Sequence, residues 1–459
     1  MGKTLVNAET ERPDGSAAGR LTLPKEHALR YSLTNELHAR PFEMLTPPVQ
    51  ASMYACVVSA DTAASATHRH LSKLCARFGV NPPQPGMNHF TADFGAFRLR
   101  YERHTEFDSF TVIRAGKFDH PFDKSAADQL PADWLEGLPG EMLVATHLAV
   151  LPVEGPDPSA EALEDYFVPE SLVTSTLSGG SAQVWTDLRI HGDKHNRILL
   201  KPRDLPPAKA GRVVQRLLEI AAYRNFALLA LPAAREVGPE LTRIDAGLAA
   251  LTAEMSSLVE SGVDSDGADA VAKRESVLLS ELMRLSAEIE QLNARHSYRF
   301  SAARAYFALV RSRLSELREE RHEGYQTIEE FLERRLWPAM RTCESVEDRM
   351  ANLSRRATRA ANLLRTRVDY ILEQQNQGLL TSMDRRAKLQ LRLQQTVEGL
   401  SVAAITYYSV GLVGYAAKGL SGLGVPIPPA YIQGAAVPLV AIAVWLGLRR
   451  VRRHIGHED

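Results

Sequence analysis

Between Leu278 and Leu317 apolar residues return at steps of three and four: Leu278, Leu282, Leu285, Ile289 and Leu292, then His296, Phe300, Ala303, Phe307, Val310, Leu314 and Leu317. That spacing keeps one helical face apolar and is the seam of a coiled coil. His296 sits in the seam with no second ligand at helical spacing, so it reads as a hydrogen-bonded core histidine. A second stripe passes through Val346, Met350, Leu353, Ala357, Ala360, Leu364, Val368, Ile371, Gln375, Leu379 and Met383. Its later steps of three, four and four favour a nearly straight or slightly right-handed helical stalk. Between the two stripes, Thr327 with Glu330 three residues on predicts a capping box, and Pro338 predicts a kink or an end. The amides of "EQQNQG", Glu373 to Gly378, interrupt the second stripe. They form either a polar layer that sets oligomer register, with Gln375 and Asn376 in it, or a weakened turn ending near Gly378.

Before these helices the period shortens. "SMYACVVSA" predicts a strand and "HRHLSKLCARFG" a helix with a glycine stop. "HFTADFGAFRLRYERHTEFDSFTVIRAG" predicts strands joined by a turn at Asp108–Ser109, and Gly179–Gly180 a hairpin turn between two more. The helix "AGRVVQRLLEIAAYRNFALLALP" closes the region. The expectation is an α/β or α+β N-terminal domain over residues 21–237, after a polar tail of residues 1–20, with a helical stalk over 238–398.

After the stalk the pattern loses its polar positions. From Gly399 to Ala417 no residue is charged, about nineteen positions against the ~20 that a helix needs to cross a bilayer. A second uncharged run ends at Leu448, after a turn rich in glycine and proline. Residues 399–448 therefore predict a hairpin of two transmembrane helices, followed by a basic tail over 449–459. Arg385, Arg386, Lys388 and Arg392 precede the first helix and Arg449, Arg450, Arg452 and Arg453 follow the second, while only Lys418 lies between. The positive-inside rule places both termini in the cytoplasm. Tyr415, Tyr431 and Trp445 supply interfacial rings. Thr406, Tyr407, Ser409, Gly411 and Gly414 offer a face of small and polar residues for packing against the second helix or further copies, or for lining a pore.

Across 459 residues, acids and bases nearly cancel at 55 against 54, so bulk charge does not point to nucleic acid. The three cysteines, Cys56, Cys75 and Cys343, are too few and too scattered for a disulfide framework or a paired zinc knuckle. Three constellations carry candidate chemistry. Read as one strand, Phe97 to Phe107 puts Glu102, His104 and Glu106 on one face, where they could meet a metal or simply face water. "TNELHARPFEML" gathers Asn35, Glu36, His38 and Arg40, which could bind an anion or a partner domain, or cap a docked turn. "DLRIHGDKHNR" carries His191, Asp193 and His195 on a hairpin tip. Nucleophile elbow, phosphate loop, paired CxxC and HExxH are all missing from the chain, so nothing specific says enzyme, and no cofactor is indicated.

"NELHARPFE", "RYERHTEFDSFT", "TIEEFLERRLWPAMRTC" and "QQTVEGLSVAAITYYSVGLVGYAAKG" together resemble a bacterial family of uncharacterised membrane-anchored proteins, a domain of unknown function. The resemblance implies the bacterial inner membrane and brings no assigned activity. The order of parts also resembles CorA-type divalent-cation transporters, homopentamers whose first transmembrane helix lines the pore. Those end that helix in Gly-Met-Asn, where this chain has "GYAAKG". Two expectations follow: an oligomeric membrane-anchored scaffold or sensor, with the bilayer, other copies and a cytosolic partner as its contacts, or a divergent ion conductor.

Overall fold

The computed structural model describes residues 24–31, 33–34, 42–58, 60–260, 268–422 and 428–455. These residues form a mixed α/β sheet domain followed by long helices. They divide into two compact units, Met1–Ala246 with Ala287–Arg355 and Gly247–Ser286 with Arg356–Asp459.

The first unit is built on one sheet. Its strands are β1 (Val49–Val57), β2 (His89–Asp93), β3 (Arg98–Arg103), β4 (Phe107–Ala115), β5 (Glu141–Val150), β6 (Val173–Leu177), β7 (Ala182–Ile190), β8 (Asn196–Pro202) and β9 (Glu320–Arg321). They lie in the order β2-β3-β4-β1-β5-β8-β7-β6-β9, nine strands among the described residues. Neighbours run antiparallel except β5 and β8, which pair in parallel from Thr146↔Asn196 to Val150↔Leu200. The helix α1 (Ala60–Phe78) stops where Gly79 takes φ +68°, a conformation that glycine adopts without strain. Short helices follow at α2 (Ala132–Glu136) and α3 (Ala160–Tyr166).

Both faces of the sheet are covered, as the continuous burial of β1 and β4 requires. On one face Leu71, Leu74 and Cys75 of α1 join Phe90, Phe97, Leu99 and Phe110 in a single core cluster. Against the other lies α4 (Pro207–Leu228), whose Phe226 stacks on Phe107 with ring centroids 4.1 Å apart. Burying a phenylalanine this completely stabilises the fold by about 1.5–3 kcal/mol. A Cβ on Gly211 of α4 would stand 1.6 Å from the Glu43 carbonyl oxygen, so only glycine lets the helix approach there.

The long helices are α5 (Ala230–Glu260), α6 (Ala268–Leu317), α7 (Ile328–Gly422) and α8 (Pro429–Ile455). The α6 seam is buried at every predicted position except Phe307, whose neighbour Tyr306 is buried instead. The capping box at the start of α7 forms in both directions. Thr327 N–H donates to Glu330 Oε2 at 3.2 Å, and Glu330 N–H donates to Thr327 Oγ1 at 3.0 Å.

Three expectations are corrected. The turn placed at Asp108–Ser109 lies at residues 104–106, and Asp108 and Ser109 pair within β4. Helix α7 does not end at Pro338, because Leu336, Met340 and Cys343 on either side are buried and hold it. Nor does it end at Gly378, since it continues to Gly422.

Candidate functional site

A cluster of titratable side chains sits where β5 passes the β7–β8 hairpin. His147 of β5 lies opposite Ser52 of β1, and the hairpin brings Asp193 and His195 over it. The imidazoles of His147 and His195 stack at 3.7 Å between centroids, 12° from parallel. The Ser52 hydroxyl accepts from Ala127 N–H at 3.1 Å and meets His147 Nδ1 at 2.8 Å. His195 Nδ1 donates to the Asp193 carbonyl at 2.7 Å, which leaves Nε2 to accept from the Tyr54 hydroxyl at 3.0 Å. The Asp193 carboxylate accepts from His195 N–H at 3.0 Å and from Arg197 at 2.9 Å.

Burial, and next to it His195, pushes His147 down to about 3, and burial lowers His195 as well. Both rings are thus neutral at physiological pH, the form in which imidazole ligates metals. Asp193 is held below its usual value by its hydrogen bonds from Arg197 and His195 N–H, against a burial effect of opposite sign. The donor atoms of His147, Asp193 and His195 lie within 4.8 Å of one another, and among the described residues they form the one such group of three. Imidazole with carboxylate suits a first-row transition ion. As they stand, however, the rings are nearly parallel and the donors of Asp193 and His195 are already hydrogen-bonded, so the arrangement is a braced polar network.

Sequence placed His191, Asp193 and His195 together, but the structure divides them. His191 turns to the buried Asp187, with Nε2 at 2.9 Å from Oδ2, and its place is taken by His147. Nothing in the spacing ties His147 to the hairpin; its one signal is a lone polar ring in the apolar run "LVATHLAV".

Glu102, His104 and Glu106 are not brought together. Because β3 ends at Arg103, the period-two reading carried His104 and Glu106 past the strand into a turn. Each side chain has another partner. Glu102 pairs with Arg100 at 2.7 Å, Glu106 pairs with Arg299 at 2.7 Å, and His104 stacks on Phe107 at 4.1 Å. Asn35, Glu36, His38 and Arg40 lie outside the described residues.

In the second unit a crevice of about 800 Å³ runs between the end of α7 and α8. Thr406, Tyr407, Gly411, Gly414 and Lys418 line it together with Gln433 of α8, whereas Ser409 does not. A Cβ on Gly414 would meet Gln433 Nε2 at 2.7 Å, so glycine permits the approach of the two helices. Gln375 and Asn376 lie along α7 well before the crevice. Arg392, Arg449 and Arg450 are exposed; Arg452 and Arg453 belong to α8 by their backbone, and their side chains lie outside the described residues.

Three stretches, Pro207–Leu258, Ile328–Gly419 and Pro429–Gly447, contain helix long and apolar enough to cross a membrane. In the most apolar window of each, 61%, 17% and 0% of residues are buried.

A family model described as "Protein of unknown function (DUF3422)" matches residues 25–455. No curated protein matches the chain.

Proposed function

The chain belongs to the DUF3422 family of proteins of unknown function, and we propose that it is an integral membrane protein whose sheet domain works in the cytoplasm as an oligomeric scaffold or sensor. The observation that carries this reading is the bare surface of α8. None of its apolar window is buried, and Leu439, Ile442 and Trp445 are 69%, 56% and 52% exposed. An apolar surface of that extent is stable in water only when something covers it, and a bilayer does so along a whole helix. Arginines at Arg392 and at Arg449–Arg450, with Lys418 alone near the other end, favour cytoplasmic termini, and the bacterial inner membrane is the matching location.

Self-association is supported by the part of α7 that precedes the crevice. From Asn376 to Val397 no residue is buried. At 100° per residue, Leu379, Met383, Leu389, Leu393 and Val397 fall within about 120° of one another, with Arg386 among them, and Asp384, Arg385, Lys388 and Arg392 lie on the opposite side. Such a stripe fits parallel packing between copies held in one membrane. A cation conductor of the CorA type finds less support. The crevice holds Lys418 and no acidic side chain, which is the wrong charge for a cation path.

The test fuses a fluorescent protein to the C-terminus in one strain and a periplasm-dependent phosphatase in another. Fluorescence without phosphatase activity supports the proposed topology; the reverse pattern overturns it.

A further inference from the structure

A cavity of about 500 Å³ opens between β5, the β7–β8 hairpin, the end of α4 and the first turns of α7. Its volume falls in the range of small-molecule pockets. The walls are largely apolar, with Leu143, Leu228, Phe331 and Leu336 among them, and Met142 and Ile190 form a lip that is 50% and 70% exposed. Its polar lining is one-sided: Lys194, Arg224 and Arg335 with the amides of Asn196 and Asn225, and no carboxylate.

Arg224 is the unusual member. It is 7% exposed, yet its Nε has no hydrogen-bond partner in the protein. Its hydrogen bond to Asn196 Oδ1 is long, at 3.4 Å. The nearby Asp187 attracts it, but that carboxylate already accepts from Val168 N–H at 3.0 Å and Arg189 N–H at 3.1 Å, with His191 Nε2 a further 2.9 Å neighbour. A buried guanidinium presents five donors in a fixed fork, and leaving them unmatched is costly. An anion in the cavity would meet that need in the planar geometry that guanidinium prefers. One buried cation, already partly offset by Asp187, suits a single negative charge, and the apolar walls require a hydrocarbon body behind it.

We propose that this cavity binds a small amphipathic carboxylate of the medium-chain fatty acid class. Arg224 and the Asn196 and Asn225 amides hold the head, the leucines and Phe331 cover the tail, and Lys194 and Arg335 draw the anion to the mouth. The site does not depend on the membrane reading, because every residue in it belongs to the sheet-bearing unit.

The test titrates decanoate, decanol and acetate into the full chain in lipid nanodiscs, with empty nanodiscs as the blank, and follows heat. Saturable binding of decanoate at one site per chain is expected, with decanol and acetate each weaker by about tenfold or more. Arg224→Gln should weaken decanoate by about tenfold to a hundredfold with little change in the unfolding temperature, since Asp187 offsets the guanidinium only in part and its hydrogen bond to Asn196 is long. Arg335→Gln, at the mouth, should weaken it less and serves as a second reading if Arg224→Gln fails to fold. Decanoate heat no greater than in empty nanodiscs overturns the proposal. So does equal binding of decanol, equal binding of acetate, or undiminished binding to both variants.

Discussion

The stretches Pro207–Leu258 and Pro429–Gly447 both meet the length and composition of a membrane-crossing helix, yet 61% of the first window is buried and none of the second. The difference lies in what the rest of the chain provides. Around α4 the sheet offers Phe107, α6 offers Tyr306, and the loop at Glu43 closes to the backbone of Gly211. Along α8 the contact at Gly414 and Gln433 leaves most of the helix uncovered. Hydropathy states that a helix needs cover; the neighbouring residues decide whether protein or lipid supplies it.

Substitutions that act on one region and spare the other sharpen this contrast. The largest effect is expected at Gly211→Ala, where the new Cβ meets backbone rather than a movable side chain. A loss of about 4 kcal/mol or more is expected, read as failure of the sheet domain to accumulate in folded form. Leu439→Arg, at the middle of α8, should cost roughly 3 kcal/mol of insertion. It would shift chain from the membrane fraction to the soluble one while leaving thermal unfolding of the sheet domain unchanged; a fall in that unfolding temperature would show that protein, not lipid, covers Leu439.

Glu319 gives a pH dependence confined to the first region. Burial raises its carboxyl from 4.5 to about 7, although Glu329 N–H and the Ser175 hydroxyl donate to it. The fold therefore favours the protonated form. Its contribution is fully present below pH 4.5 and is lost as the pH rises through 7, an effect of about 3 kcal/mol. Glu319→Gln should flatten this decline in denaturant titrations; an unchanged slope would show that Glu319 does not titrate in that window. The smallest effect belongs to Gly434→Leu in α8, where nothing stands within 4 Å of the new Cβ. Unchanged membrane partition and unfolding temperature are expected, and a loss would reveal a neighbour at that face.

Much of this contrast was legible in residue spacing. The α6 seam, the Thr327–Glu330 capping box and the Gly179–Gly180 hairpin follow from local rules that tertiary packing did not override. Where local rules competed with packing at Pro338, packing prevailed; at Gly378 α7 continues without any buried neighbour, because a single glycine costs a helix only about 1 kcal/mol. The Phe97–Phe107 run looked like one strand because alternation can persist through a tight turn, and only pairing of β3 with β4 shows the break at 104–106. Strand β9 was illegible for a different reason, since two residues after α6 carry no period of their own and become a strand only by pairing with β6. The same holds for His147 and Arg224. Their chemistry depends on neighbours far away in sequence, and no spacing rule reaches that distance.

The central claim is that lipid covers the C-terminal helices. Alkaline carbonate extraction of membranes containing the full chain tests it most directly, because that treatment strips proteins held by surface charge and leaves those embedded in the bilayer. The chain is predicted to remain entirely in the pellet. Release into the supernatant as folded, soluble protein would contradict the claim.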